Sequence, residues 1–141
     1  MENVNKYAKL KINEVKNSGY TFKSLFEVIH SQGERIFCEY TQRFQTVEVS
    51  YQKIKSYALK TATFLSGTLN GHKGEFVGLY MENCVNFVAA FWAILSLGCK
   101  PLLINARLPV AINQKVLGEV GCTVVVASDA LSSHAICDDT V

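Results

Sequence analysis

FVGLYMENCVNFVAAFWAILSLGCKPLLIN, residues 76–105, changes its pattern twice, and those changes decide the fold. It opens on FVGLYM, an unbroken apolar run. Polar alternation along a one-sided sheet does not produce such a run, and a strand covered on both faces does. VNFVAAFWAILSL (85–97) is then apolar nearly all round, the pattern of a helix enclosed between a sheet and other protein. It is too short and too interrupted to span a bilayer, which takes about 20 apolar residues. Gly98 offers the left-handed stop that glycine adopts without steric cost. PLLIN (101–105) reads as the next strand, with Cys99 and Lys100 at the turn as a packing residue and a solvent-facing one.

Toward the carboxyl end, Pro109 stands where a first helical turn tolerates it. The spacing predicts a helix to about Val120 with Ile112, Val116 and Val120 facing in, ended by Gly121 before the strand TVVVA (123–127). The order β-α-β-α-β implies right-handed crossovers and a parallel sheet covered on both faces. The last residues, ALSSHAICDDTV (130–141), show no clear periodicity.

Toward the amino end, Ser50 is an N-cap, and Val49 and Ile54 flank it as a hydrophobic staple. A long helix is expected from Tyr51 to near Leu69. Ile54, Ala58, Thr61 and Leu65 form its buried stripe, while Lys53, Lys55 and Lys60 lie largely toward water. RIFCEY (35–40) and FQTVEV (44–49) are β-branched and aromatic, with TQR (41–43) as the hairpin turn between them. Thr21 caps a shorter helix over about 22–32, where Phe22, Leu25, Phe26 and Ile29 recur at helical spacing. The fold class expected is α/β: a three-layer α-β-α arrangement on a mostly parallel, flavodoxin-like sheet, with an N-terminal helix and β-hairpin. Residues 1–20 form a polar, helical lead, 21–130 the body, and 131–141 a truncated tail.

Hydrophobic residues make up 49% of the 141 and charged residues 18%, against about a quarter charged in an ordinary soluble domain. That excess suits a buried sheet or a surface meant for more protein. The formal charge of +2 is too small to point to nucleic acid. Lys6, Lys9, Lys11 and Lys16 read as a solvated helix face. Cys38, Cys84, Cys99, Cys122 and Cys137 are odd in number and lack a C-x-x-C pair, so neither a disulfide framework nor a zinc site is suggested. The opening residues lack an apolar signal segment. A cytoplasmic setting is expected.

SGTLNGHKG (66–74) has the small residues, hydroxyls and lysine of a phosphate loop. Its spelling fails the G-x-x-x-x-G-K-S/T pattern, because His72 precedes Lys73 and Gly74 follows it. Its position also fails: the segment leaves a helix C-terminus for a strand, where the helix dipole has the wrong sign for an anion. His30, His72 and His134 are scattered, and His134 with Cys137 makes a poor metal pair. Cys84 and Cys99 flank the buried helix as small hydrophobes. No paired carboxylates or nucleophile elbow stand out. No catalytic, cofactor-binding or metal-binding residue is assigned.

The junction residues resemble those of the adenylate-forming enzymes: AMP-forming acyl-CoA synthetases, ligases and peptide-synthetase adenylation domains. VSYQKI (49–54) looks like that family's first core motif, L-T/S-Y-x-E-L. KGEFVGLYMENCVNFVAAFWAILSLGCKPLLIN (73–105) looks like its G-D-x-V-x-x-x-x-x-N-x-x-E-F segment running into L-K-A-G-x-x-x-V-P-L-N/D. Ser50, Tyr51, Gly74, Asn83, Gly98 and Asn105 carry the match. Lys53, Glu75, Asn86 and Leu103 depart from the usual Glu, Asp, Glu and Pro.

The resemblance implies the N-terminal part of an enzyme that adenylates a carboxylate with ATP and magnesium and passes the acyl group to a thiol, with CoA the expected acceptor. It further implies that the true phosphate loop, the adenine and ribose sites, the hinge and the catalytic lysine lie outside these residues. The chain alone should then be inactive and hold no cofactor. Its expected partners are the rest of the large N-terminal domain and the C-terminal lid of the same enzyme, with self-association through apolar faces left open. The texture leans toward synthetases of fatty or aryl acids. The alternative is a free-standing flavodoxin-like ligand-binding or regulatory module, with its ligand beyond the C-terminal strand ends. A receiver-type acceptor would want acids there; Glu82 and Asp129 are present, but PLLIN ends in Asn105 and no matching lysine ends a later strand.

Overall fold

The structure is a computed structural model that describes residues 2–17, 19, 21–132 and 139–140. The chain divides into two compact units, residues 1–56 and 57–141.

The first unit holds α1 (Glu2–Asn17), α2 (Phe22–His30), β1 (Ile36–Gln42), β2 (Gln45–Ser50) and the start of α3 (Tyr51–Leu69). Thr21 caps α2 as expected: its hydroxyl accepts the Ser24 N–H at 3.1 Å, and the Ser24 hydroxyl in turn accepts the Thr21 N–H at 3.1 Å. Two orphan donors are thereby satisfied. Ser50 caps α3 through its Oγ, which accepts the Lys53 N–H at 3.2 Å, and both members of the staple, Val49 and Ile54, are buried. Lys55 of α3 pairs with Glu27 of α2.

The hairpin turn differs from the expected TQR. Thr41 and Gln42 pair with Thr46 and Gln45, which leaves Arg43 and Phe44 as a two-residue turn. Both adopt positive φ, 50° and 64°. Two-residue turns of this hand match the twist of the flanking strands, which is why the ladder runs two residues further than composition indicates.

In the second unit, β3 (Phe76–Tyr80), β4 (Lys100–Leu103), β5 (Val124–Ala127) and β6 (Asp139–Thr140) form a parallel sheet in the order β4-β3-β5-β6. β3 is central, as its unbroken apolar run requires. Leu65 and Leu69 of α3 and Ala90, Ala93 and Ile94 of α4 (Val85–Ser96) cover Val77, Leu79, Val124 and Val126 on one face. Leu117 of α5 (Val110–Val120) joins Tyr80 and Val125 on the other. Gly98 and Gly121 adopt φ of +80° and +65° after α4 and α5, the left-handed stops expected of them. The stretch after β5 contains a four-residue helix, α6 (Asp129–Ser132), and β6, which pairs with β5. Much of that stretch, His134 and Cys137 included, lies outside the described residues.

The inward face of α5 is not the one expected. Ile112, Val116 and Val120 are 47%, 38% and 38% exposed, whereas Leu117 and Asn113 are buried. Two contacts distant in sequence turn the helix. Gly78 of β3 leaves a notch in the sheet where a Cβ would stand 3.3 Å from Leu117 Cδ2, so Leu117 seats there. Asn113 Nδ2 donates to the Asn105 carbonyl at 3.1 Å, which makes a buried amide tolerable.

Candidate functional site

The loops at the two ends of the parallel sheet do different work. At the amino end lies 66–74, where the His72 N–H goes to the Leu69 carbonyl and the Gly74 N–H to the Gly98 carbonyl at 2.8 Å, while the Glu75 N–H that follows goes to the His72 carbonyl. The Ser66 hydroxyl donates to the Thr63 carbonyl, and Glu75 Oε2 stands 2.8 Å from His72 Nδ1. A triphosphate would meet a carboxylate, a helix C-terminus and N–H groups already bonded. The loop does not fit a nucleotide. Among the described residues no group of three or more His, Cys, Asp or Glu could hold a metal ion.

At the carboxyl end, β3 hands the chain to α4 on one face of the sheet and β4 hands it to α5 on the other. Neighbouring strands whose connections part to opposite faces leave a crevice, the usual ligand position of open α/β sheets. Here it is a cavity of about 640 Å³, lined by Met81, Glu82, Asn83 and Phe87 on the β3 side and by Leu103, Ile104, Asn105, Ala106 and Arg107 on the β4 side. Glu82 Oε2 accepts the Ser128 hydroxyl at 2.9 Å. Asn105 shapes the β4 side: its Oδ1 accepts the Arg107 N–H at 2.9 Å, and its carbonyl accepts Asn113 Nδ2 and the Leu108 N–H.

The residues that carry the family resemblance sort clearly. Ser50 is a cap. Tyr51 packs edge-on against Phe37, ring centroids 5.1 Å apart. Gly74 and Gly98 hold positive φ and a shared hydrogen bond at the entry to β3 and β4. Asn105 ties the β4–α5 turn together. Asn83 differs from these, since it lines the crevice. Of the departures, Glu75 pairs with His72, and Lys53, Asn86 and Leu103 are exposed. Of the acids of the alternative reading, Glu82 accepts the Ser128 hydroxyl, and Asp129 follows that serine as the first residue of α6.

Burial holds two of the cysteine thiols toward the protonated form. Cys99 is buried, donates to the His72 carbonyl at 3.3 Å, and is pushed up in pKa chiefly by burial. Burial also raises Cys38. Cys84, expected as a small hydrophobe flanking the buried helix, is exposed at the N-cap of α4. His30 is buried among Phe26, Phe37 and Tyr51, with Nδ1 2.7 Å from the Phe26 carbonyl. That geometry makes Nδ1 the donor. Burial holds the His30 pKa below the usual histidine value.

Arg107, Asn113 and the notch at Gly78 escaped sequence reasoning. The N-A-R run after a strand was visible, but only the crossover of α5 to the second face makes it a cavity wall. No helix among the described residues is long and apolar enough to cross a membrane.

The family model described as AMP-binding enzyme matches residues 25–141. No curated protein matches the sequence. Among solved structures, a fatty acyl CoA synthetase of Mycobacterium tuberculosis superposes with a TM-score of 0.67 at 21% identity, over 86% of this chain and 26% of that one. The O-succinylbenzoate Coenzyme A synthetase of Bacillus subtilis, in complex with AMP, gives 0.68 at 19% identity over 82% of this chain and 30% of its own. The inhibitor-bound N-terminal domain of FACL13 from Mycobacterium tuberculosis gives 0.57 at 25% identity over 67% of this chain and 26% of that one. The chain therefore spans between 26% and 30% of these three solved chains.

Proposed function

This chain belongs to the AMP-binding enzyme family, and from that premise we propose that it is the N-terminal portion of an AMP-forming acid–thiol ligase of the acyl-CoA synthetase kind. The match over residues 25–141 carries the reading. The mechanical roles of Ser50, Tyr51, Gly74, Gly98 and Asn105 support it, because they account for motif residues that do no chemistry. The whole enzyme would activate a carboxylic acid with ATP and magnesium and pass the acyl group to a thiol, CoA being the acceptor in this reading. Fatty or aryl acids are the substrate class that the texture favours, and the cytoplasm is the setting.

The chain by itself is inactive in this reading, since the loop at 66–74 does not fit a nucleotide. Its partners are the remainder of the large N-terminal domain and the C-terminal lid of the same enzyme. The apolar stripe of α5 and Phe64 of α3, 76% exposed, are surfaces that further protein would cover. The crevice at the carboxyl ends favours a second reading, a free-standing flavodoxin-like ligand-binding or regulatory module.

Calorimetric titration with ATP and magnesium tests both. No saturable heat and no pyrophosphate–ATP exchange are expected from residues 1–141. Saturable ATP binding that Lys73→Ala removes would overturn the assignment of 66–74 as a structural loop.

A further inference from the structure

We propose that the first unit carries a binding site of its own where α1, α2 and the start of β1 meet, and that its ligand is a compact aromatic monocarboxylate, with the carboxylate gripped by Arg35 and the ring laid against Tyr7. The site lies within residues 7–51 and does not depend on the enzyme reading.

The cavity there holds about 360 Å³, toward the small end of the range for small-molecule sites, roughly 300–1,000 Å³. One or two fused rings suit that space better than a long chain does. Its apolar lining is Val28 and Ile29 of α2 and Ile36 of β1, and Tyr7 of α1 and Tyr51 of α3 add two rings. Tyr7 and Ile36 are 42% and 47% exposed, so a flat body laid on them would remove apolar surface from water.

Two cations gather at the same ring. Lys11 Nζ and Arg35 Cζ stand 5.9 Å and 6.0 Å from the centroid of Tyr7, within the reach of a cation–π contact. They are not equally engaged. Glu14 takes Lys11 Nζ at 2.8 Å, and Ser31 Oγ stands 3.4 Å from it. Arg35 donates to the neutral Gln32 Oε1 at 3.3 Å and forms no ion pair with a described residue. None of the described residues lining the cavity is acidic; Glu14 and Glu34 are exposed and lie outside the lining.

Glu14 thus offsets Lys11, and the one positive charge left over is that of Arg35. A single charge calls for a monoanion, and the two parallel N–H groups of a guanidinium match the planar fork of a carboxylate. The hydroxyls of Tyr7 and Tyr51 line the same cavity, and neither bonds another described residue. They supply further donors to an oxyanion.

The 141-residue chain, labelled with ¹⁵N, is titrated with 2-naphthoate, 2-naphthol, 2-naphthyl phosphate and inorganic phosphate, and amide shifts are followed. The carboxylate is expected to saturate below about 1 mM, with shifts at 7–11, 28–36 and 51. Naphthol and inorganic phosphate should bind at least about tenfold more weakly, and the naphthyl phosphate no more tightly than the carboxylate. Arg35→Gln, at an exposed position, should weaken naphthoate about tenfold, and Arg35→Lys, which keeps the charge and loses the fork, should weaken it less. Arg107→Gln, in the second unit, should leave the shifts at 7–51 unchanged. The proposal is overturned if naphthoate does not saturate, if naphthol binds as well, if the naphthyl phosphate binds more tightly, if Arg35→Gln has no effect, or if the shifts fall outside 7–51.

Discussion

Substituting Gly78→Ala tests the packing that orients α5 on the sheet. A Cβ at position 78 would stand 2.8 Å from Val125 Cγ2 and 3.3 Å from Leu117 Cδ2. The first distance is a clash, and neither partner has open space to enter, since Val125 and Leu117 are both buried. Val125 is also the register partner of Gly78 in the ladder, and its β-branched side chain has few rotamers to offer. In an unobstructed strand, alanine would gain roughly 0.5–1 kcal/mol over glycine. Overpacking costs about 1–3 kcal/mol, so Gly78→Ala should destabilise the second unit by about 1–2 kcal/mol.

Val125→Ala alone removes two buried methyl groups, worth about 1.6 kcal/mol at roughly 0.8 each. In the double variant the new methyl at 78 enters space vacated at 125, and the loss should fall short of the sum by at least about 1 kcal/mol. Urea unfolding of the four proteins, followed by far-ultraviolet circular dichroism and by Trp92 fluorescence, closes the cycle. Strict additivity, or a Gly78→Ala protein at least as stable as the wild type, would refute the notch.

Arg43 and Phe44 hold positive φ without being glycine, and Phe44 is fully exposed. Phe44→Gly should therefore stabilise the hairpin unit by roughly 0.5–1 kcal/mol, read as a rise in its melting temperature. His30 supplies a pH dependence of definite sign. Its pKa is depressed by burial from 6.5, so near pH 6 the unfolded chain binds more protons than the folded one. Stability should be full above the unfolded value and fall as pH drops through it toward the folded value. Melting curves from pH 7.5 to 5 should show that slope in the wild type and a flatter one in His30→Gln; an unchanged slope in the variant would remove His30 as the cause.

Much of the fold was legible because its signals are local. A serine followed by a periodic helix, a glycine after an apolar run and an unbroken run in place of alternation each act within a few residues. Ser50, Gly98, Gly121 and β3 stand where those rules put them. The hairpin turn and the face of α5 were not legible. The β1–β2 ladder extends by pairing Thr41 and Gln42, which look like turn residues in isolation. On α5 the apolar stripe Ile112–Val116–Val120 is the obvious inward face, and an asparagine opposite it looks wrong for a core.

The sequence by itself determined the order of elements from α2 to β5, the caps of α2 and α3, the glycine stops after α4 and α5, the parallel class of the sheet and the resemblance to adenylate-forming enzymes. These rest on backbone propensity and hydrophobic period, which neighbouring residues set. Tertiary structure alone decided which side of α5 faces the sheet, because a notch at Gly78 and a carbonyl at Asn105 act on residues far along the chain. It alone decided that Glu82, Asn83 and Arg107 share one cavity, because the chain crosses to opposite faces after β3 and β4. Long-range packing turns α5 against the apolar stripe that its period presents, and the crossover of the chain to opposite faces opens the crevice.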